Sequence, residues 1–245
     1  MRGVYAFHGC DSKCGVTMVA QSAAQQLAAA NRDKSVLLIS LCGRRNSQYV
    51  RKEAASIDEY RDRIGAEVDL KRCELENRKI AENLYYIDGI EKEEEGRFYF
   101  PEMTIAFLKK MKEQFDYIII DTGSEMDNGL TVGGLMGAEL NFMVLAQNDA
   151  CLERYRKLRK LYDALSFSFD VYVINKFRDR DVYSLSYIKK HIINSYKEVF
   201  TICDTGRARE AEFERRTFTE MKDRRFSDGI GRLVARIEKS SGIGA

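Results

Sequence analysis

Short apolar runs recur along the chain at residues 3–7, 35–41, 84–87, 117–120, 141–146, 171–174 and 200–203. The run SVLLISL at 35–41 carries no charge and no alternation, which predicts a strand covered on both faces. Between the runs lie longer stretches with helical character. Residues 17–30 (TMVAQSAAQQLAAA) are rich in Ala and Gln and contain neither Gly nor Pro. Further helices are predicted at 48–64, 66–82, 102–114, 152–165, 186–199, 207–216 and 228–240. Strand followed by helix along the chain predicts right-handed crossovers, hence an α/β protein with a mostly parallel sheet flanked by helices. Pro101 is the one proline, and no Ser/Gly-rich linker or internal repeat interrupts the pattern. A single domain over 1–245 is the expectation, with the acidic run at 91–95 as a solvated loop.

Charge changes this picture little. A formal net charge of +2 implies neither nucleic acid nor an anionic membrane, so such a partner must come from a local patch. The apolar stretch within MRGVYAFHGC is too short for a signal peptide, and no run reaches the ~18 apolar residues of a membrane helix. The six cysteines form no CxxC pair, and His8 and His191 are the two histidines. Free thiols in a cytoplasmic protein are expected.

The candidate chemistry lies after the first strand, because ligands of open parallel sheets bind at the carboxyl ends of the strands. The segment reads GVYAFHGCDSKCGVTMVAQSAA, which does not meet the phosphate-loop pattern GxxxxGK[ST]. It is followed by KSVLLIS, ENLYYIDG, FDYIIIDTG, VLAQND before a helix, and VYVINKF. Over nearly its whole length this series resembles the MinD/ParA superfamily of P-loop ATPases. DEYRDR, NLYYIDG and the altered loop are most similar to the TadZ/CpaE branch, which helps place pilus machinery at the cell pole.

The resemblance implies a P-loop NTPase (MinD/ParA-like) fold and a site for ATP and Mg²⁺. GCDSKCGVT lies over the family's [GS]xKGGxGK[ST]. Gly9 and Gly15 keep loop glycines, Ser12 and Lys13 replace two others, and Cys14 falls on a variable position. Thr17 keeps the hydroxyl that binds Mg²⁺, and Asp121, ending FDYIIID, would hold the same ion through water. Val16 replaces the lysine that reaches the β- and γ-phosphates. Asp11 replaces the signature lysine that usually reaches across a dimer. Losing one charged hydrogen bond costs roughly 1.5–3 kcal/mol. Ser40-Leu41-Cys42 stands where the family has DxD, and neither end residue is a general base at neutral pH. Asn175 matches an adenine-contacting residue, and Thr205 and Arg207 lie in CDTGRAREAEFERRTF, which resembles a late base-contacting loop. On the residues alone, 9–15 read equally as a strand-to-helix connector with Thr17 as a helix cap, and Asn175 as a strand-end residue satisfying local backbone.

The expected protein is therefore a degenerate positional or assembly factor with weak or absent ATP hydrolysis and no catalytic residue, serving pilus or secretion machinery at a pole. An ATPase that dimerises over ATP is the alternative from the enzyme class. The helix LERYRKLRKLYDAL offers Arg154, Arg156, Lys157, Arg159 and Lys160 to DNA, a second alternative. Its stripe Leu152, Tyr155, Leu158, Tyr162 and Leu165 reads as core. Ile230, Leu233, Val234 and Ile237 form one face of the last helix, read as packed on the domain rather than on a membrane. A homodimer independent of nucleotide is expected, in which Asp11 must find a cation such as Lys13 or Arg44 across the two-fold.

Overall fold

The apolar runs become strands because a run with no polar face can be satisfied only where both faces are covered. The computed structural model of the chain describes residues 2–52, 54–65 and 71–242. Its strands are β1 (Gly3–Gly9), β2 (Val36–Ser40), β3 (Ala55–Ser56), β4 (Leu84–Asp88), β5 (Tyr117–Asp121), β6 (Leu140–Ala146), β7 (Val171–Phe177) and β8 (Glu198–Cys203). They form one sheet in the order β3-β4-β2-β5-β1-β6-β7-β8, with every pair parallel. Every residue of β1, β2, β4, β5 and β6 is buried, whereas the edge strand β8 is mostly half-exposed.

The helices are α1 (Val16–Ala30), α2 (Arg61–Gly65), α3 (Pro101–Gln114), α4 (Gly129–Gly137), α5 (Asp149–Ala164), α6 (Leu185–Tyr187, running into a π-helical Ile188–Ile193), α7 (Ala208–Glu214) and α8 (Arg224–Ser240). Local chemistry sets several starts. Asn128, Asn148, Ser184 and Asp223 cap α4, α5, α6 and α8 through their side chains, and Pro101 opens α3. Strand alternation assigns the layers. Tyr5 and His8 point to opposite faces of β1. The Tyr5 hydroxyl meets Ser240 of α8, which packs with α1, while His8 meets Tyr162 of α5.

His8 is wholly buried. Its Nδ1 lies 2.9 Å from Thr122 Oγ1, and that hydroxyl donates to the Phe7 carbonyl at 2.9 Å. Nδ1 is therefore the ring donor, and Nε2 accepts from the Tyr162 hydroxyl at 3.3 Å. Burial pulls the imidazole pKa down to about 3, so the ring is neutral at pH 7.

Several spans differ from the sequence expectation. Residues 48–64 form no single helix: β3, a 3₁₀ turn at Ile57–Tyr60 and the short α2 occupy that stretch. Of 66–82, residues 66–70 lie outside the described part, and the rest holds the 3₁₀ segment Arg72–Arg78. The helix expected over 186–199 ends at Ile193, and β8 begins at Glu198. β3 and α4 are additions. The acidic run enters a 3₁₀ segment, Glu93–Phe98, and Glu95 pairs with Arg61 at 2.8 Å. In α5, Leu152, Tyr155 and Tyr162 are core, but Leu165 is 50% exposed. Ile230, Leu233, Val234 and Ile237 are buried as α8 packs on α1 and β8. Among the described residues no helix is long and apolar enough to cross a membrane.

Candidate functional site

β1 has β5 on one side and β6 on the other, so the chain order reverses around it and opens a crevice beyond the carboxyl ends of the strands. The connector from β1 to α1 lies there. Gly15 sits at φ 88° as the N-cap of α1, and a Cβ on it would lie 2.3 Å from Asn175 Nδ2. Both facts demand glycine. Lys13 also has positive φ, 64°, an unusual conformation for lysine. The loop is tied from outside. Asn175 Nδ2 donates to the Cys14 carbonyl at 2.9 Å, Lys176 Nζ to the Lys13 carbonyl at 2.7 Å, and Arg154 Nε to the Cys10 carbonyl at 2.9 Å.

Arg154 also answers Asp11, with Nε 3.6 Å from Oδ1, and its other arm reaches Glu125 at 3.1 Å. A cation for Asp11 is therefore supplied within the chain, by α5. Thr17 is no helix cap either: α1 has no side-chain cap and no acid in its first turn. Its leading N–H groups remain a pole of positive potential facing the crevice.

Beneath the loop, three segments meet on one amide. Asn46 Nδ2 donates to Thr17 Oγ1 at 2.8 Å and to Asp121 Oδ2 at 2.7 Å. The carboxylate sets the amide's orientation, since only the nitrogen end can face an acceptor. The Asn46 N–H donates to Asp88 Oδ1 at 2.7 Å, and its carbonyl accepts from Gln21 Nε2 at 3.1 Å. Asp88, 0% exposed, also takes the Gly89 N–H at 2.8 Å and the Tyr86 hydroxyl at 2.9 Å on Oδ1, while Oδ2 faces Arg45 Nε at 3.4 Å. Asp121 Oδ1 accepts the Gly123 N–H at 3.0 Å. Burial pushes the Asp121 carboxyl up to about 6, with the Gly123 N–H and the Thr17 hydroxyl opposing it.

Thr17 and Asp121, which the resemblance assigns to one ion, are thus arranged around a shared donor. Mg²⁺ takes oxygen ligands at about 2.0–2.1 Å. An amide N–H between the two oxygens repels a cation and fills its place, so the residues as arranged do not fit Mg²⁺. Among the described residues no cluster of three or more His, Cys, Asp or Glu is placed to hold a metal. At the end of β2, Ser40 Oγ and Cys42 Sγ are 3.3 Å apart, and Cys42 Sγ meets the Arg44 carbonyl at 3.2 Å. Burial, aided by the nearby Asp121 charge, pushes the Cys42 thiol up to about 11. It is a neutral thiol at pH 7.

Above this floor is a cavity of about 540 Å³. Asp11, Ser12, Lys13, Gly15, Val16, Thr17, Asn175 and Thr205 line it; Gly9, Cys14 and Asp121 are buried behind the wall. Arg207 stands apart, in an ion pair with Glu210, and Thr205 Oγ1 accepts the Arg207 N–H at 3.1 Å. Asn175 spends an amide donor on the loop rather than offering it to a ligand. The lining cations Lys13, Arg44, Lys176 and Arg209 face the acids Asp11, Asp204 and Glu212. This near balance is poor for a triphosphate. Sequence reasoning missed Asn46 and Asp88, and it offered Arg154 to DNA where the structure sets it on the Cys10 carbonyl and Asp11. The Asp88-Gly89 turn signal marks the end of β4, but no spacing rule joins it to position 46.

No protein-family model and no curated protein sequence matches the chain. Solved structures do. A ParA family ATPase from Chlorobium tepidum TLS superposes with a TM-score of 0.80 at 18% identity, over 96% of this chain and 98% of that one. MinD complexed with Mg-ADP from Pyrococcus horikoshii OT3 gives 0.73 at 15% identity, over 100% and 99%. The MinC:MinD cell division complex of Aquifex aeolicus gives 0.71 at 13% identity, over 97% and 96%. The chain has the α/β P-loop NTPase fold of the MinD/ParA type.

Proposed function

We propose that residues 1–245 act as one MinD/ParA-type domain, a positional or assembly factor that works through protein contacts and turns over ATP slowly or not at all. The carrying observation is the chemistry flanking the crevice. Val16, Ser40 and Cys42 stand where phosphoryl transfer needs a cation and water-organising acids, and none supplies charge at pH 7. The solved MinD in complex with MinC supports a protein partner for this fold. The TadZ/CpaE resemblance supports pilus or secretion machinery in the cytoplasm, at a pole. Because Arg154 neutralises Asp11 within the chain, two loops can face each other with less like-charge repulsion, which supports a homodimer formed without nucleotide. DNA binding is less well supported, since Arg154 and Arg156 on α5 already pair with Glu125 and Glu153.

A second reading, nucleotide binding without turnover, is favoured by the uncapped α1 facing the 540 Å³ cavity. Calorimetry with ATP and ADP, with and without Mg²⁺, together with a phosphate-release assay, tests both. The expected result is a dissociation constant above about 1 μM (about 8 kcal/mol) and release at the buffer background. Tight binding with turnover that Asp121→Ala or Thr17→Ala abolishes would sink the proposal.

A further inference from the structure

We propose that the Asn46 amide permanently takes the place of the divalent cation between Thr17 and Asp121, so that any phosphate-bearing ligand enters this crevice free of metal. The inference rests on the reading of the crevice as a nucleotide-type site and names the form of ligand it takes. The donor is held by the chain and not by a ligand. Asn46 is fixed through its own N–H on Asp88 at 2.7 Å and its carbonyl on Gln21 at 3.1 Å before its side chain makes any contact. Asp88 is held in turn by the Gly89 N–H at 2.8 Å and the Tyr86 hydroxyl at 2.9 Å. From that anchored backbone the amide reaches Thr17 Oγ1 at 2.8 Å and Asp121 Oδ2 at 2.7 Å.

A cation seeking both oxygens must first displace this amide or turn it over, and either breaks two hydrogen bonds, one of them charge-assisted. The gain would be coordination by two protein oxygens, and Mg²⁺ gives up water reluctantly. Without a metal, ligand charge falls on the α1 N-terminus and on rim cations such as Lys13, Arg44 and Arg209. That set suits a mono- or diphosphate better than a triphosphate.

The test follows the side-chain amide of Asn46 by ¹⁵N NMR, assigned through its loss in Asn46→Ala. Spectra are taken in EDTA, in MgCl₂ and in MnCl₂, each with and without ADP, alongside ADP calorimetry in EDTA and in MgCl₂. The amide signal is expected to keep its position in Mg²⁺ and to escape broadening by Mn²⁺, and ADP affinity, if measurable, to agree within about threefold between the two buffers. Broadening of that signal by Mn²⁺, with or without ADP, or a gain of about tenfold or more in ADP affinity on adding Mg²⁺, overturns the proposal. Asn46→Asp supplies a positive control by setting a second carboxylate against Asp121. Its melting temperature should fall in EDTA and recover with Mn²⁺, while wild type and Asn46→Ala show no such recovery. Recovery in wild type, or none in Asn46→Asp, also counts against it. ATP turnover with the Asn46 signal unmoved defeats the functional reading alone; metal-dependent ADP binding without turnover defeats this one alone.

Discussion

The floor of the crevice and its rim sit a few residues apart and are built by different physics. On the floor, Asp88, Asp121, Asn46 and Thr17 are joined by hydrogen bonds of 2.7–2.8 Å, with both carboxylates out of solvent. On the rim, Arg154, Asp11 and Glu125 meet in ion pairs whose side chains are 25–47% exposed. Buried polar groups carry a large penalty if a partner is lost, whereas exposed pairs are screened by water. The floor therefore acts as a strut that ties the ends of β2, β4 and β5 to α1. The rim is where the charge lining the cavity resides, at Asp11, Lys13, Arg44 and Arg209.

The sharpest way to break the comparison is on the floor. Asp88→Ala leaves the Asn46 and Gly89 N–H groups and the Tyr86 hydroxyl without their acceptor, and should cost about 3–5 kcal/mol in urea unfolding. A loss below about 1 kcal/mol would place Asp88 with the rim. His8 gives the next largest effect. Its pKa is lowered from 6.5 to about 3, so its contribution is full above pH 6.5 and is lost as pH falls toward 3. The stability of wild type relative to His8→Gln should therefore drop by up to about 1.4 kcal/mol per pH unit below that point. Denaturant midpoints between pH 7 and 4 check this, and parallel curves would refute it. On the rim, Arg154→Ala should cost less than about 1 kcal/mol, and salt should erase the difference. Val16→Lys should change least: phosphate release stays at background because Ser40 and Cys42 still provide no acid. Robust turnover there would show that the floor supplies the missing groups.

How much of this could be read from the chain depended on the range of the forces involved. The buried strands announce themselves because a fully apolar run has few alternatives. α4, GLTVGGLMG, does not: glycines weaken a helix in isolation. Its reason is tertiary, since a Cβ on Gly133 would lie 2.5 Å from the Pro101 carbonyl oxygen where α4 crosses α3. Residues 48–64 carry enough charge to mimic a solvated helix, yet backbone pairing with β4 draws Ala55–Ser56 into the sheet edge. The loop from Gly9 to Thr17 was legible as a unit because its positions are adjacent. Asn46 and Arg154 were not, because each acts on residues 29 to 144 positions away in the chain.

Arg154 has one more consequence, which concerns the order in which substitutions can accumulate. It holds both the Cys10 carbonyl and the Asp11 carboxylate, with Nε at 2.9 Å and 3.6 Å. Placing lysine at position 11 alone would set two cations against each other at the mouth of the crevice, beside a helix pole that already carries positive potential. Removing Arg154 first would strand Asp11 without a counter-charge and release the loop carbonyl. Either single step leaves a charge unanswered, while the double change removes that conflict and keeps only the loss of the tie to the Cys10 carbonyl. Positions 11 and 154 are thus coupled, so that the side chain one of them tolerates depends on what stands at the other.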